Sequence, residues 1–114
     1  MWSNSDTTVA FTNTTITVPD ITSYQFIGFR YGYNRADLTN QHTIYAKTTE
    51  FITTGLSGNA IVRYDLTSRN DSDGAVTRAA FYVSNTSIRI ADAYGTDGTL
   101  RNSYSIPIRI VGIS

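Results

Sequence analysis

Two groups of side chains in this sequence have the types that hold a sugar. Tyr31, Tyr33, Asn34, Arg35 and Asp37 cluster where an apolar run gives way to polar residues, and Tyr94, Asp97, Arg101 and Asn102 surround a later Asp-Gly turn. Sugar C–H faces stack on aromatic rings while hydroxyls need fixed donors and acceptors, and each group supplies both. Both are candidate saccharide contacts at strand-to-loop exits, where binding residues concentrate. The same tyrosines would also serve to cover the edge of a hydrophobic core.

Arg30, Arg63, Arg89 and Arg109 each sit mid-strand between apolar neighbours. A guanidinium offers a planar fork to phosphate and carboxylate, so these residues could line an outer sheet face that meets an anionic glycopolymer or a second subunit. A solvated face with cross-strand pairs, such as Arg63 with an aspartate, is the plainer account.

Catalysis finds little support. His42 is the only histidine and no Gly-x-Ser-x-Gly setting exists, so it reads as a loop histidine rather than a triad base. Glu50 is the only glutamate, and most of the eight aspartates fall in turn contexts, where carboxylates cap backbone amides rather than form a glycosidase pair. Asp71-x-Asp73-Gly74 has the opening of a calcium loop, but Ala75 and Val76 follow where further oxygen ligands are needed, so a plain turn is expected. No phosphate loop is present. The expectation is a non-enzyme with no metal and no cofactor. The sequons at Asn13, Asn70 and Asn85 are what chance gives in a chain rich in Asn, Ser and Thr.

The elements that position these residues read as strands. In Tyr104-Ser-Ile-Pro-Ile-Arg-Ile-Val-Gly-Ile113, the isoleucines 106, 108 and 110 alternate with Ser105, Pro107 and Arg109, which predicts a strand with those three isoleucines on one buried face. Pro107 cannot donate a ladder hydrogen bond and so predicts an edge position or a bulge. Tyr24 to Tyr33 is apolar on both faces, with Ile27, Phe29 and Tyr31 on one side and Tyr24 and Phe26 on the other. Such a strand packs against a neighbouring subunit or is covered by its own loops. Thr8 to Phe11 and Thr14 to Val18 read as a short pair closed by Pro19-Asp20. Asn34 to Gln41 reads as a loop, His42 to Thr48 as a strand, and Thr49 to Gly55 as a turn or short helix. Residues 60–83 read as a hairpin around Asn70 to Gly74, and Ile88 and Ile90 mark a further strand. About eight short antiparallel strands predict an all-β, single-domain β-sandwich of jelly-roll type.

Composition agrees. The 114 residues suffice for one domain, hydrophobic content is 40% and charged content only 16%, against roughly 25% in ordinary soluble proteins. Nine basic and nine acidic residues cancel, which argues against nucleic acid as a partner and against a polybasic membrane attachment. Cysteine is absent, so disulfides and thiolate metal sites are excluded. No apolar run approaches the roughly 20 residues that span a bilayer, and the N-terminus lacks the layout of a signal peptide, so no membrane insertion is expected.

The order of segments carries a resemblance. Trp2-Ser3-Asn4 opens the chain, Thr15-Ile-Thr-Val18 follows, then Tyr24-Gln-Phe-Ile-Gly-Phe-Arg-Tyr31, and Ile106-Pro-Ile-Arg-Ile-Val-Gly-Ile113 closes it. This resembles the C-terminal head, or knob, domains of bacteriophage tail fibres and receptor-binding proteins, with Asn4 where a glycine is usual and Val111 where an aromatic often stands. The resemblance spans both ends and thins out through residues 34–100. It implies residues 1–114 as the C-terminal part of a longer fibre protein, phage or prophage encoded, at the distal tip of the virion's tail. It also implies a homotrimer that attaches to a bacterial cell-surface glycan or other receptor. A monomeric carbohydrate-binding module and a structural cap for fibre trimerisation are the alternatives.

Overall fold

The computed structural model describes residues 1–34, 37–56, 64–70 and 74–114. Among these, eight strands run in chain order: β1 (Trp2–Ser3), β2 (Thr14–Thr17), β3 (Phe26–Asn34), β4 (Asp37–Lys47), β5 (Tyr64–Asn70), β6 (Gly74–Ser84), β7 (Ser87–Gly95) and β8 (Tyr104–Ile113), with an α-helix, α1 (Thr48–Leu56), after β4. They form two antiparallel sheets, ordered β1-β8-β3-β4 and β2-β7-β6-β5. The first strand pairs with the last and the second with the seventh, so the chain rolls up from its ends into an all-β sandwich of jelly-roll type. Its middle consists of the antiparallel pairs β3–β4, β5–β6 and β6–β7, the first and last interrupted by register shifts.

Alternation sets what each sheet buries. Ile27, Phe29 and Tyr31 of β3 face inward, as do Ile16, Leu66, Ala80, Ile88, Ile90 and Ile110, and together they form one apolar core. Phe51 of α1 closes it, edge-on to Phe29 at 5.8 Å and to Tyr82 at 6.1 Å. The other face of β3 stays outside, where Phe26 is 37% exposed.

Three expectations about the elements change. Residues 8–11 are not a strand, and β2 pairs instead with β7, Ile16 opposite Ile88. Phe11 is committed elsewhere: its ring meets Trp2 edge-on at 6.1 Å and its backbone N–H donates to the Asn102 carbonyl. The polar stretch after Asn34 becomes strand from Asp37 onward, because β4 is an edge strand and one side of its ladder needs no partner. The third is the row of isoleucines in β8. Ile106 and Ile110 are buried, but so are Ser105 and Pro107, while Ile108 is only half-buried. Arg30 pairs with Arg109 and Tyr31 with Pro107, so Ile108 is the extra residue of a bulge, which shifts the parity. Pro107 thus stands at the bulge its missing N–H predicts. Asn4 covers the irregularity: its backbone N–H donates to the Ile108 carbonyl at 2.8 Å and its Nδ2 to the Pro107 carbonyl at 2.9 Å.

Candidate functional site

A groove of about 510 Å³ crosses the outer face of the β2-β7-β6-β5 sheet. Its floor is short because β6 and β7 point alanines outward there, Ala75, Ala79 and Ala91. Asp65, Thr77, Phe81, Arg89, Asp92, Tyr94 and Asn13 stand around that floor. Its volume lies within the roughly 300–1,000 Å³ of small-ligand sites.

A bulge in β7 brings two of these residues outward. Ala80 pairs with Ile90 but Arg78 with Ala93, so Ala91 and Asp92 together oppose the single residue Ala79. Strict alternation from Ile90 would turn position 92 toward the core and leave 94 beside it. The extra residue instead puts Ala93 in the interior and leaves Tyr94 48% exposed at the end of the groove, opposite Thr77.

The bulge is pinned from inside by Arg78, a fully buried arginine. Its Nε donates to the Ser105 carbonyl at 2.9 Å, Nη1 to the carbonyls of Phe11 and Ala91 at 2.8 and 2.7 Å, and Nη2 to those of Asn102 and Tyr104 at 3.2 and 3.1 Å. Five N–H groups meet five carbonyls, which is the full donor capacity of a guanidinium. The Phe11 ring lies 5.1 Å below the cation. Burial brings the Arg78 pKa down to about 10, with the Asp92 charge opposing that fall, so the side chain remains cationic at neutral pH. Its grip explains Ser105, the one non-glycine residue among those described with a left-handed backbone, at φ 49°. The Ser105 hydroxyl is directed at two acceptors, the Val76 carbonyl at 2.9 Å and the Ser68 hydroxyl at 3.0 Å.

Asp92 anchors the groove's corner. Its carboxylate accepts the Asn13 backbone N–H at 2.8 Å and Asn102 Nδ2 at 3.0 Å, and these bonds hold its pKa below the ordinary carboxylate value. Arg89 Nη1 donates to Asn13 Oδ1 at 3.2 Å, and the guanidinium lies over the Phe81 ring at 4.3 Å. The corner therefore joins a carboxylate, a carboxamide and a stacked guanidinium in one line of contacts.

The sequence-predicted contacts divide. Tyr94 lines the groove. Asn102 is part of its support rather than its surface: Nδ2 holds Asp92 and Oδ1 accepts the Ala93 backbone N–H at 2.7 Å. Asp97 caps its own turn, accepting the Thr99 N–H at 2.9 Å, and Arg101 lies within its electrostatic reach. Tyr31 is corrected outright. It is 5% exposed, its hydroxyl donates to the Thr67 carbonyl at 2.9 Å, and burial raises its pKa, so it is a core residue and not a sugar platform. Tyr33 meets Tyr104 edge-on at 5.9 Å. The backbones of Asn34 and Asp37 pair at the end of the β3–β4 ladder, and Arg35 lies outside the described residues.

The three described mid-strand arginines do not share a face. Arg30 and Arg109 are cross-strand neighbours on the first sheet, Arg89 belongs to the second, and Arg63 lies outside the described residues, as do Asp71 and Asp73. His42 sits on β4 rather than in a loop, exposed, its ring 5.8 Å from that of Tyr31. Arg78 and Asp92 escaped the sequence reading. For Arg78 the signal was available, since Val76, Arg78 and Ala80 share one parity and two of the three are small and apolar. For Asp92 no local signal announces the bulge.

No family model matches this chain, and searches of curated proteins and of solved structures find no match either.

Proposed function

We propose that this chain is a non-catalytic attachment head of a phage or prophage tail fibre, which binds a bacterial surface saccharide through equivalent sites on a homotrimer. The observation that carries the saccharide reading is the groove: a shallow sheet face with an exposed tyrosine, two carboxylates, an amide and a guanidinium around an alanine floor. Carboxylates accept sugar hydroxyls, guanidinium and amide groups donate to them, and the ring stacks on the C–H face. Three of the four segments that carry the head resemblance, Trp2-Ser3-Asn4, residues 24–31 and residues 106–113, fall on the neighbouring strands β1, β3 and β8. Weak sites repeated on one trimer raise avidity by orders of magnitude without strong individual contacts.

The test joins two measurements. Light scattering on the 12.6 kDa chain should return about three chain masses, and fluorescently labelled protein should adsorb to bacterial cells in competition with their purified surface polysaccharide. Trimeric protein that ignores every glycan would sink the saccharide reading. A strict monomer that still binds would favour the carbohydrate-binding module, a reading helped by the number of polar side chains that one chain brings to the groove.

A further inference from the structure

On the sheet opposite the groove we infer a second site, which takes the phosphate of a phosphorylated sugar on the Arg30–Arg109 pair and the sugar ring on Tyr45. The first argument is the row in which the two arginines stand. Ser3 faces Arg109, Arg109 faces Arg30 and Arg30 faces Thr43, so one line of donors crosses β1, β8, β3 and β4. Alternation points that line outward, because the adjacent Phe29 and Ile110 are buried in the core and Ile44 packs against it. Like charges directly opposite each other weaken a ladder. Nothing described beside this pair offsets them: Gly28, Gly32 and Val111 complete its surroundings, and neither arginine has an ion pair with a described residue. The one side-chain hydrogen bond is Arg30 Nε donating to Gln41 Oε1 at 2.6 Å, which leaves both Nη groups of Arg30 and the whole fork of Arg109 without a described acceptor. Neighbouring strands lie about 4.8 Å apart, so both guanidinium groups reach one tetrahedral anion. Two cations flanked by two hydroxyls suit a phosphomonoester, with about −1.5 to −2 of charge and three acceptor oxygens, better than a carboxylate.

The second argument is the ring beside that row. Tyr45 follows Thr43 by two residues on the same face and is 59% exposed, more than any other large hydrophobic residue described. Its ring leans over Gly28, where a Cβ would meet Cε1 at 3.1 Å and Cδ1 at 3.3 Å, and Gly28 stands two residues before Arg30. Two residues along a strand span about 7 Å, within the combined reach of a hexose phosphate and the flexible arginine side chains. Tyr45 has no aromatic or cation–π partner among the described residues, so its ring is open to the C–H face of a sugar.

The experiment follows the amide NMR spectrum of the full chain during titration with glucose 6-phosphate, inorganic phosphate and glucuronate. Glucose 6-phosphate should shift the amides of Arg30, Thr43, Tyr45 and Arg109 and bind at least about fivefold more tightly than the other two, with affinity falling as salt is raised. Arg109→Ala should weaken that binding about tenfold, with Arg109→Lys between the two, and Tyr45→Ala should reduce it to the level of inorganic phosphate. The same spectra report that each variant is folded. Equal affinity for inorganic phosphate and glucose 6-phosphate in the wild type would overturn the inference, since the ring would then contribute nothing. Binding that Arg109→Ala leaves intact, or shifts confined to other parts of the chain, would also overturn it. So would shifts at these four amides that depend on protein concentration in the absence of ligand, because the face would then belong to a second copy of the chain.

Discussion

The two outer faces of this sandwich are made of similar strands and become opposite surfaces. On the first sheet Gly28 lies between Val111 and Tyr45, its register partners, and those side chains crowd over it: a Cβ there would come within 2.9 Å of Val111 Cγ2 and 3.1 Å of Tyr45 Cε1. Phe26 and Ile113 pair beside them, both 37% exposed, and among the described side chains Arg30, Arg109 and Lys47 add positive charge on that sheet. On the second sheet Ala79 lies opposite Asp65 on one side and a bulge on the other, and the space above it stays open. Relief on a sheet is therefore decided by cross-strand pairs. A small residue beside large neighbours is filled over, and a small residue beside small or re-aimed neighbours becomes a floor.

Removing the support beneath the groove should have the largest effect. Arg78→Ala removes five hydrogen bonds to backbone carbonyls, one of them fully buried and four partly so, and is expected to cost about 3–5 kcal/mol in urea denaturation. Arg30→Ala, on the solvated face, should stay within about 0.5 kcal/mol. Equal losses from the two arginines would break the contrast between a buried structural cation and an exposed one. Arg78→Lys, with three donors for five carbonyls, should fall between them.

Filling the floor comes next. Ala79→Leu would place a branched side chain where the second face is hollow, giving it the filled character of the first. Glycan binding should disappear while stability moves by about 1 kcal/mol or less, since the added side chain enters open space rather than a packed core. Binding retained by the Ala79→Leu variant would move the site off this groove. The converse change, Gly28→Ala on the filled face, should cost about 1–2 kcal/mol because Val111 and Tyr45 must give way.

The smallest effect is in acid. Asp92 has its pKa lowered in the folded state, so its contribution is fully present above the unfolded carboxylate value near 3.9 and is lost as pH falls through the lower folded value. Asp92→Asn should flatten the stability profile below about pH 4, read as a smaller drop in melting temperature on acidification than wild type shows. An unchanged acid limb would mean the corner is held by Arg78 alone.

Much of this fold was legible because its strands obey simple rules. The two-sided run of β3, the terminal strand β8, the pairing of β5 with β6 and the proline bulge follow from side-chain period and from the chemistry of one missing N–H. The partner of β2 was not legible, since Phe11 answers to Trp2 and Arg78, which are distant in sequence. Half of the site was hidden for a similar reason. Tyr94 could be singled out as an aromatic near a turn, but its exposure depends on an inserted residue at Ala91-Asp92 that only the register reveals. Tyr31 carried the same aromatic signal and is buried, because tyrosine serves a core edge as readily as a surface.

The place of β8 has a consequence for how this protein is made. β8 lies between β1 and β3, so Trp2 finds Ile110 and Phe29 finds the same residue from the other side only after residues 104–113 have left the ribosome. The β5-β6-β7 meander can form from neighbours as it emerges, whereas β3 must wait with one edge unpaired and its apolar faces uncovered. A nascent chain paused before residue 104 would then be most vulnerable to self-association through β3, and slower translation of the final strand should lower soluble yield more than the same delay placed before β5.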